Sequence, residues 1–153
     1  MNFMIKSLLD GARELSRNKR YRYNYGLTIK NVNDDILNDI KRYSKNSDIS
    51  YIEISQDDIN FNEIDENGKT VLDNWFKQLL GSSESILVIK NINKKRKRSY
   101  NIIQQLVNFN SLYNNRLKKG QTTFVLLSDN IDDIMYDNTH IVDMKEYNKL
   151  EKI

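Results

Sequence analysis

The chain has no cysteine, no proline, one histidine and only five glycines among 153 residues. Without cysteine there is no disulfide, no thiolate nucleophile and no cysteine-ligated zinc. Any Ser-His-Asp triad would have to be built round His140, the lone imidazole. That residue stands ahead of an apolar strand and reads as a surface histidine at a strand edge. The glycines are scattered, Gly26 and Gly81 among them, and no GxGxxG motif can be written, so a dinucleotide fold of the Rossmann kind is not supported. No apolar run approaches the roughly 20 residues that cross a bilayer. Met1 to Leu9 carries one lysine and no small-residue cleavage site, so a secretory leader is not expected either. The expectation is a cytoplasmic protein that does not meet a membrane.

What is present suits a soluble, folded chain: 39% hydrophobic and 29% charged residues, enough for one domain with a core. The bias toward Asn, Ile, Lys and Tyr is what an AT-rich genome writes, such as that of a low-GC bacterium or a phage. Net charge is only +3, but it is unevenly spread. Arg17, Lys19, Arg20 and Arg22 form one basic cluster, Lys94 to Arg98 a second, and Arg116, Lys118 and Lys119 a third. Together they hold half of the 24 lysines and arginines. Asp57 to Glu66 and Asp129 to Asp137 are acidic, and a surface polarised in this way orients a charged partner.

Hydrophobic spacing sets out the elements. Ile5, Leu8, Leu9, Ala12 and Leu15 recur every three or four residues, which predicts an amphipathic helix over Met4–Leu15. A basic and aromatic linker follows to Tyr25, and together these form an N-terminal segment, residues 1–24, ahead of an α/β domain over residues 25–153. Alternation predicts strands at Tyr25–Val32 and Ser50–Ser55. Between them lies a helix capped by Asn33 or Asp34. An acidic loop from Gln56 leads to a helix over Thr70–Leu80, with Gly81 as its stop. Ser85–Asn91 and Thr122–Leu127 are nearly continuous apolar runs, as strands buried on both faces require. A helix over Tyr100–Leu117, a short helix over Asp129–Tyr136 and a strand over His140–Met144 complete the pattern. Strands alternating with helices predict an α/β fold: a single parallel sheet of about five strands with helices on both faces.

The element order SYIEIS, VLDNWFKQLL, ILVIKNIN, TTFVLLSDN, IDDIMYD and HIVDM, over roughly Tyr25 to Tyr147, resembles the P-loop core of AAA+ ATPases of the clamp-loader and initiator kind. The resemblance implies that ILVIKNIN stands where a Walker B strand ends in an acidic pair, and that TTFVLLSDN is the sensor-1 strand with Asn130 in the sensor position. Two departures imply an inert member. The first strand leads into Lys30-Asn31-Val32-Asn33-Asp34-Asp35, with no glycine to bare backbone N–H groups for phosphate and two carboxylates in its place. At the Walker B position Lys90 and Asn91 replace the acids that would hold magnesium and polarise water. No nucleotide and no other cofactor is therefore expected.

The remaining carboxylate pairs, Asp34/Asp35, Asp57/Asp58 and Asp132/Asp133, sit at helix starts or in loops, where aspartate caps and favours the helix dipole. Asp129 after an apolar strand reads as a turn residue. No metal site is expected, although a small metal-dependent nuclease or hydrolase using Asp57, Asp58 or Asp129 is one alternative. The basic residues point elsewhere. Five adjacent cations at Lys94, Lys95, Arg96, Lys97 and Arg98 repel one another unless anions are near, and a phosphate backbone supplies anions. Arg20 and Arg22 alternate with Tyr21, Tyr23 and Tyr25, which suits stacking on bases or packing on the domain's own sheet. The expectation is an AAA+-like module that acts by binding, with nucleic acid on Lys94–Arg98, Arg116, Lys118, Lys119, Arg20 and Arg22, and with a protein partner or oligomer. It would serve in a phage or mobile-element replication or packaging assembly. The alternative from another class is a structural or virion assembly protein with protein partners alone, for which the Lys94 run is a solvated loop or a contact for acidic protein.

Overall fold

The computed structural model describes residues 3–18, 26–59, 66, 68, 70–107, 121–128 and 139–145. They contain five strands, β1 (Gly26–Lys30), β2 (Ser50–Ser55), β3 (Ser85–Lys90), β4 (Thr122–Leu127) and β5 (Thr139–Asp143). The described helices are α1 (Phe3–Arg17), α2 (Asp34–Asn46), α3 (Val71–Gly81) and α4 (Lys97–Val107). All strand pairs are parallel, in the order β2-β3-β4-β1-β5. The expected α/β fold with a five-stranded parallel sheet is what forms.

The strand order explains the layering. From β1 the chain crosses β4 and β3 to reach β2, then steps back through β3 to β4. Right-handed crossovers taken in opposite directions put their helices on opposite faces of the sheet. One apolar cluster accordingly joins Ile5 and Leu9 of α1 and Ile36 and Ile40 of α2 to Leu27, Ile29, Ile86, Val88 and Val125. The other joins Leu79 of α3 and Tyr100 and Ile103 of α4 to Ile54, Leu87, Ile89, Phe124 and Leu126. Successive residues of β3 and β4 thus feed two different cores, which is why those strands read as unbroken apolar runs. Trp75 packs against the second cluster, as its place in the helical pattern predicts.

Gly26 is required by close approach. A Cβ there would run into Phe124 O and lie 2.8 Å from Phe124 Cβ, in the middle of the sheet. The apolar face of α1 is covered by the chain's own sheet, with Ile5, Leu9, Ala12 and Ser16 buried. Arg13 and Arg17 extend from this helix to Glu84, at 2.8 Å and 2.6 Å, at the amino edge of β3.

One element start is as expected, and other element ends depart from expectation. Asn33 caps α2, its Oδ1 accepting from Ile36 N at 2.9 Å. Gln56–Asp58 forms a short 3₁₀ turn inside the expected acidic loop, with Ser55 as its cap. The last residue of α3 is Gly81, but it takes no left-handed conformation. The helix end is met instead by Gln121, whose Nε2 donates to Leu79 O at 3.1 Å and Ser82 O at 2.6 Å. α4 starts three residues earlier than its apolar spacing predicts, because Lys97, Arg98 and Ser99 carry no apolar signal. The continuation of that helix, the expected Asp129–Tyr136 helix and Asn130 lie outside the described residues.

Candidate functional site

In a parallel sheet every strand ends on the same edge, so turns far apart in sequence are gathered along one line. Two of these turns are copies of each other. Thr28-Ile29-Lys30-Asn31-Val32-Asn33 leaves β1, and Val88-Ile89-Lys90-Asn91-Ile92-Asn93 leaves β3. In each, the first asparagine turns the chain through the left-handed region, with φ of 60° at Asn31 and 58° at Asn91. Asparagine tolerates that conformation better than most residues. Each also ties its strand end to the neighbour on its outer side. Asn31 Nδ2 donates to Asp143 Oδ1 at the end of β5 at 2.8 Å, and Asn91 Nδ2 donates to Ser55 Oγ on β2 at 2.7 Å. The second asparagine then opens the next segment: Asn33 caps α2, and Asn93 Oδ1 accepts from Lys95 N at 2.9 Å.

These turns set the local chemistry at the ends of β1 and β3. The first turn of α2 carries Asp34 and Asp35 behind the Asn33 cap, so the positive end of its dipole already faces carboxylates, which repel phosphate. Lys90 Nζ pairs with Glu53 at 3.0 Å, and Tyr51 OH donates to the same carboxylate at 2.6 Å. Burial alone would raise the Glu53 pKa, but the bonds from Tyr51 and Lys90 hold it below the ordinary value. Lys90 and Asn91 are thus engaged with β2. Among the described residues no three His, Asp or Glu side chains gather as a metal cage.

The basic run is placed by a buried polar clamp. Gln56 is 1% exposed. Its Nε2 donates to Asn93 O at 3.0 Å and Ser99 Oγ at 2.9 Å, and its Oε1 accepts from Asn93 N at 2.8 Å. Between those anchors Lys94, Lys95, Arg96, Lys97 and Arg98 are all exposed. Sequence alone puts this run in a loop before the helix. The structure makes Lys97 and Arg98 the first turn of α4, which holds no acidic residue. Cations there oppose the positive end of the helix dipole. Arg96 is paired with the exposed carboxylate of Asp57 at 2.5 Å.

Beside this run a cleft of about 570 Å³ opens on the carboxyl edge. Leu127 and Ser128, at the end of β4, lie between the two asparagine turns, and Ser128 N donates to Ile29 O at 3.2 Å. Val32 and Leu37 line one side, and Ile92 and Asn93 the other.

Not all expected site residues meet here. Arg17 is bound at the opposite, amino edge. Arg20, Arg22, Arg116, Lys118 and Lys119 lie outside the described residues, as do Tyr21, Tyr23, Tyr25, Asp129, Asp132 and Asp133. The backbone of His140 lies in β5, and its side chain is outside the described set. Gln56 and Asn93, central to the edge, give no signal by residue type, and Asn91 stands out only as a residue in place of an acid. The two strand exits point to Asn91 and Asn93, since IKNVN and IKNIN differ only in Val32 against Ile92.

Compared with known proteins, the chain matches no family model and no curated protein. Among the described residues no helix is long and apolar enough to cross a membrane.

Proposed function

We propose that the chain is a catalytically inert AAA+-like module that works by binding, with its carboxyl edge gripping the phosphate backbone of nucleic acid. The observation carrying this reading is the row of five exposed cations, Lys94 to Arg98, presented beside the sheet's carboxyl edge by a buried clamp. Five adjacent exposed cations repel one another, and a polyanion relieves that repulsion. The carboxyl edge is also where open α/β sheets hold ligands.

The sheet order supports the AAA+ likeness. β1, β4 and β3, the strands matched to phosphate loop, sensor and Walker B, stand side by side. The inertness is supported by the same edge, where Asp34 and Asp35 oppose phosphate and Lys90 and Asn91 stand in for acids. The module would serve in the cytoplasm of a bacterium or phage-infected cell, within a replication or packaging assembly that also supplies protein partners. In thermal melts at low salt, a short oligonucleotide should raise the midpoint, while ATP with magnesium should leave it in place. A shift with ATP and none with the oligonucleotide overturns both parts of the reading.

A further inference from the structure

The cations explain attraction to phosphate but not the cleft beside them, whose lining is of a different kind. Val32 and Leu37 on the side of β1 and α2, and Ile92 and Leu127 on the side of β3 and β4, give it aliphatic surface, with Asp57, Lys90 and Ser128 adding polar groups. Its volume of about 570 Å³ falls inside the roughly 300–1,000 Å³ range of sites that enclose small organic groups. Two side-chain amides line the cleft, and each is half committed. Asn91 gives its Nδ2 to Ser55, which leaves Oδ1 as an acceptor. Asn93 takes Lys95 N on its Oδ1, which leaves Nδ2 as a donor. Lys95 belongs to both features, since it lines the cleft and is part of the cationic run.

A nucleobase fits this set of groups. It has flat apolar faces and an edge carrying donors and acceptors together, and proteins hold an unstacked base between apolar side chains while bonding its edge. We infer that the cleft seats one unstacked base of a single-stranded nucleic acid whose phosphates run along Lys94–Arg98. The inference rests on the binding function proposed above and adds to it a strand type. A paired base cannot enter the cleft without leaving its duplex, so single strands are preferred.

The intact chain is titrated at low salt with a 12-nucleotide single strand carrying 2-aminopurine and with the blunt duplex of the same sequence. The single strand should bind at least about tenfold more tightly, the value of one well-seated base. The 2-aminopurine emission should change on binding. Asn91→Gly keeps a residue suited to positive φ but removes the amide, and Val32→Trp fills the cleft. In each the preference for single strand should fall to nearly onefold, and the glycine variant carries the test if the tryptophan variant fails to fold. Equal affinity for single strand and duplex, with steep salt dependence retained, overturns the cleft assignment and leaves the cationic grip standing. Absence of salt-dependent binding to either overturns both.

Discussion

Arg13 of α1 and Glu84, just before β3, lie 71 residues apart in sequence and meet in two bonds, Nε to Oε1 at 2.8 Å and Nη2 to Oε2 at 3.2 Å. Arg17 adds a third bond at 2.6 Å, and Arg13 also donates to Tyr43 OH at 2.9 Å. Tyr43 in turn donates to Asp10 at 2.5 Å, so the helix is tied to the sheet's amino edge and to α2 by one network. Burial alone would raise the Glu84 pKa, but hydrogen bonds and charge from Arg13 and Arg17 lower it below the ordinary 4.5.

The direction of that shift gives a pH prediction. A carboxylate depressed in the folded state contributes stability that is complete above its unfolded pKa and is lost as pH falls through its folded pKa. Glu84→Gln should lower stability at neutral pH by about 1.5–3 kcal/mol, the scale of hydrogen bonds to charged groups. The gap from the native protein should close as pH drops below the ordinary carboxylate value of 4.5. Urea melts of the two proteins across that range check it. A gap that stays constant with pH contradicts the role given to Glu84.

Gly26→Ala tests the sheet itself. The added methyl meets the backbone and Cβ of Phe124, which sit in the centre of the sheet and cannot swing aside as a side-chain tip can. Overpacking of this kind costs about 1–3 kcal/mol, and the rigid neighbour puts this site at the upper end. Denaturant unfolding should show the loss in the midpoint with little change in slope.

Gln121→Ala removes a long-range helix cap. The side chain is 8% exposed, and its Nε2 serves the carbonyls of Leu79 and Ser82 at the end of α3. Ser82 N still serves Leu79 O at 3.3 Å, so of these two carbonyls only that of Ser82 loses its partner in the variant, at a cost of about 1 kcal/mol. Hydrogen exchange should speed up first in the last turn of α3, before the β4 strand that Gln121 precedes. Uniform acceleration across the sheet would instead assign Gln121 to global packing.

Much of this fold is legible in the sequence because strand and helix periods differ and because β3 and β4 are apolar on both faces. SYIEIS and TTFVLL give β2 and β4 with the bounds observed. The end of α3 is not legible in the same way. Gly81 looks like its stop, yet the cap comes from a glutamine 40 positions further on, a contact that only the folded chain creates. The start of α4 is hidden for a related reason, since a helical turn made of lysine and arginine offers no hydrophobic period. At the site, charge revealed Lys94–Arg98 directly, whereas Gln56 is legible only once β2 and β3 lie side by side. The twinned asparagine turns were in plain view, but a five-residue match is too short to register as a repeat.

The central claim is that Lys94–Arg98 holds a phosphate backbone, and the salt dependence of binding tests it most directly. Oligonucleotide affinity is measured by fluorescence anisotropy over a series of salt concentrations, for the native chain and for a variant with Lys94, Lys95, Lys97 and Arg98 changed to serine. Arg96 is kept because it pairs with Asp57. Log affinity should fall linearly with log salt for the native chain, and the slope should shrink by about 0.7 for each phosphate contact removed. An identical slope in the two proteins, or no binding by the native chain at low salt, would contradict the account.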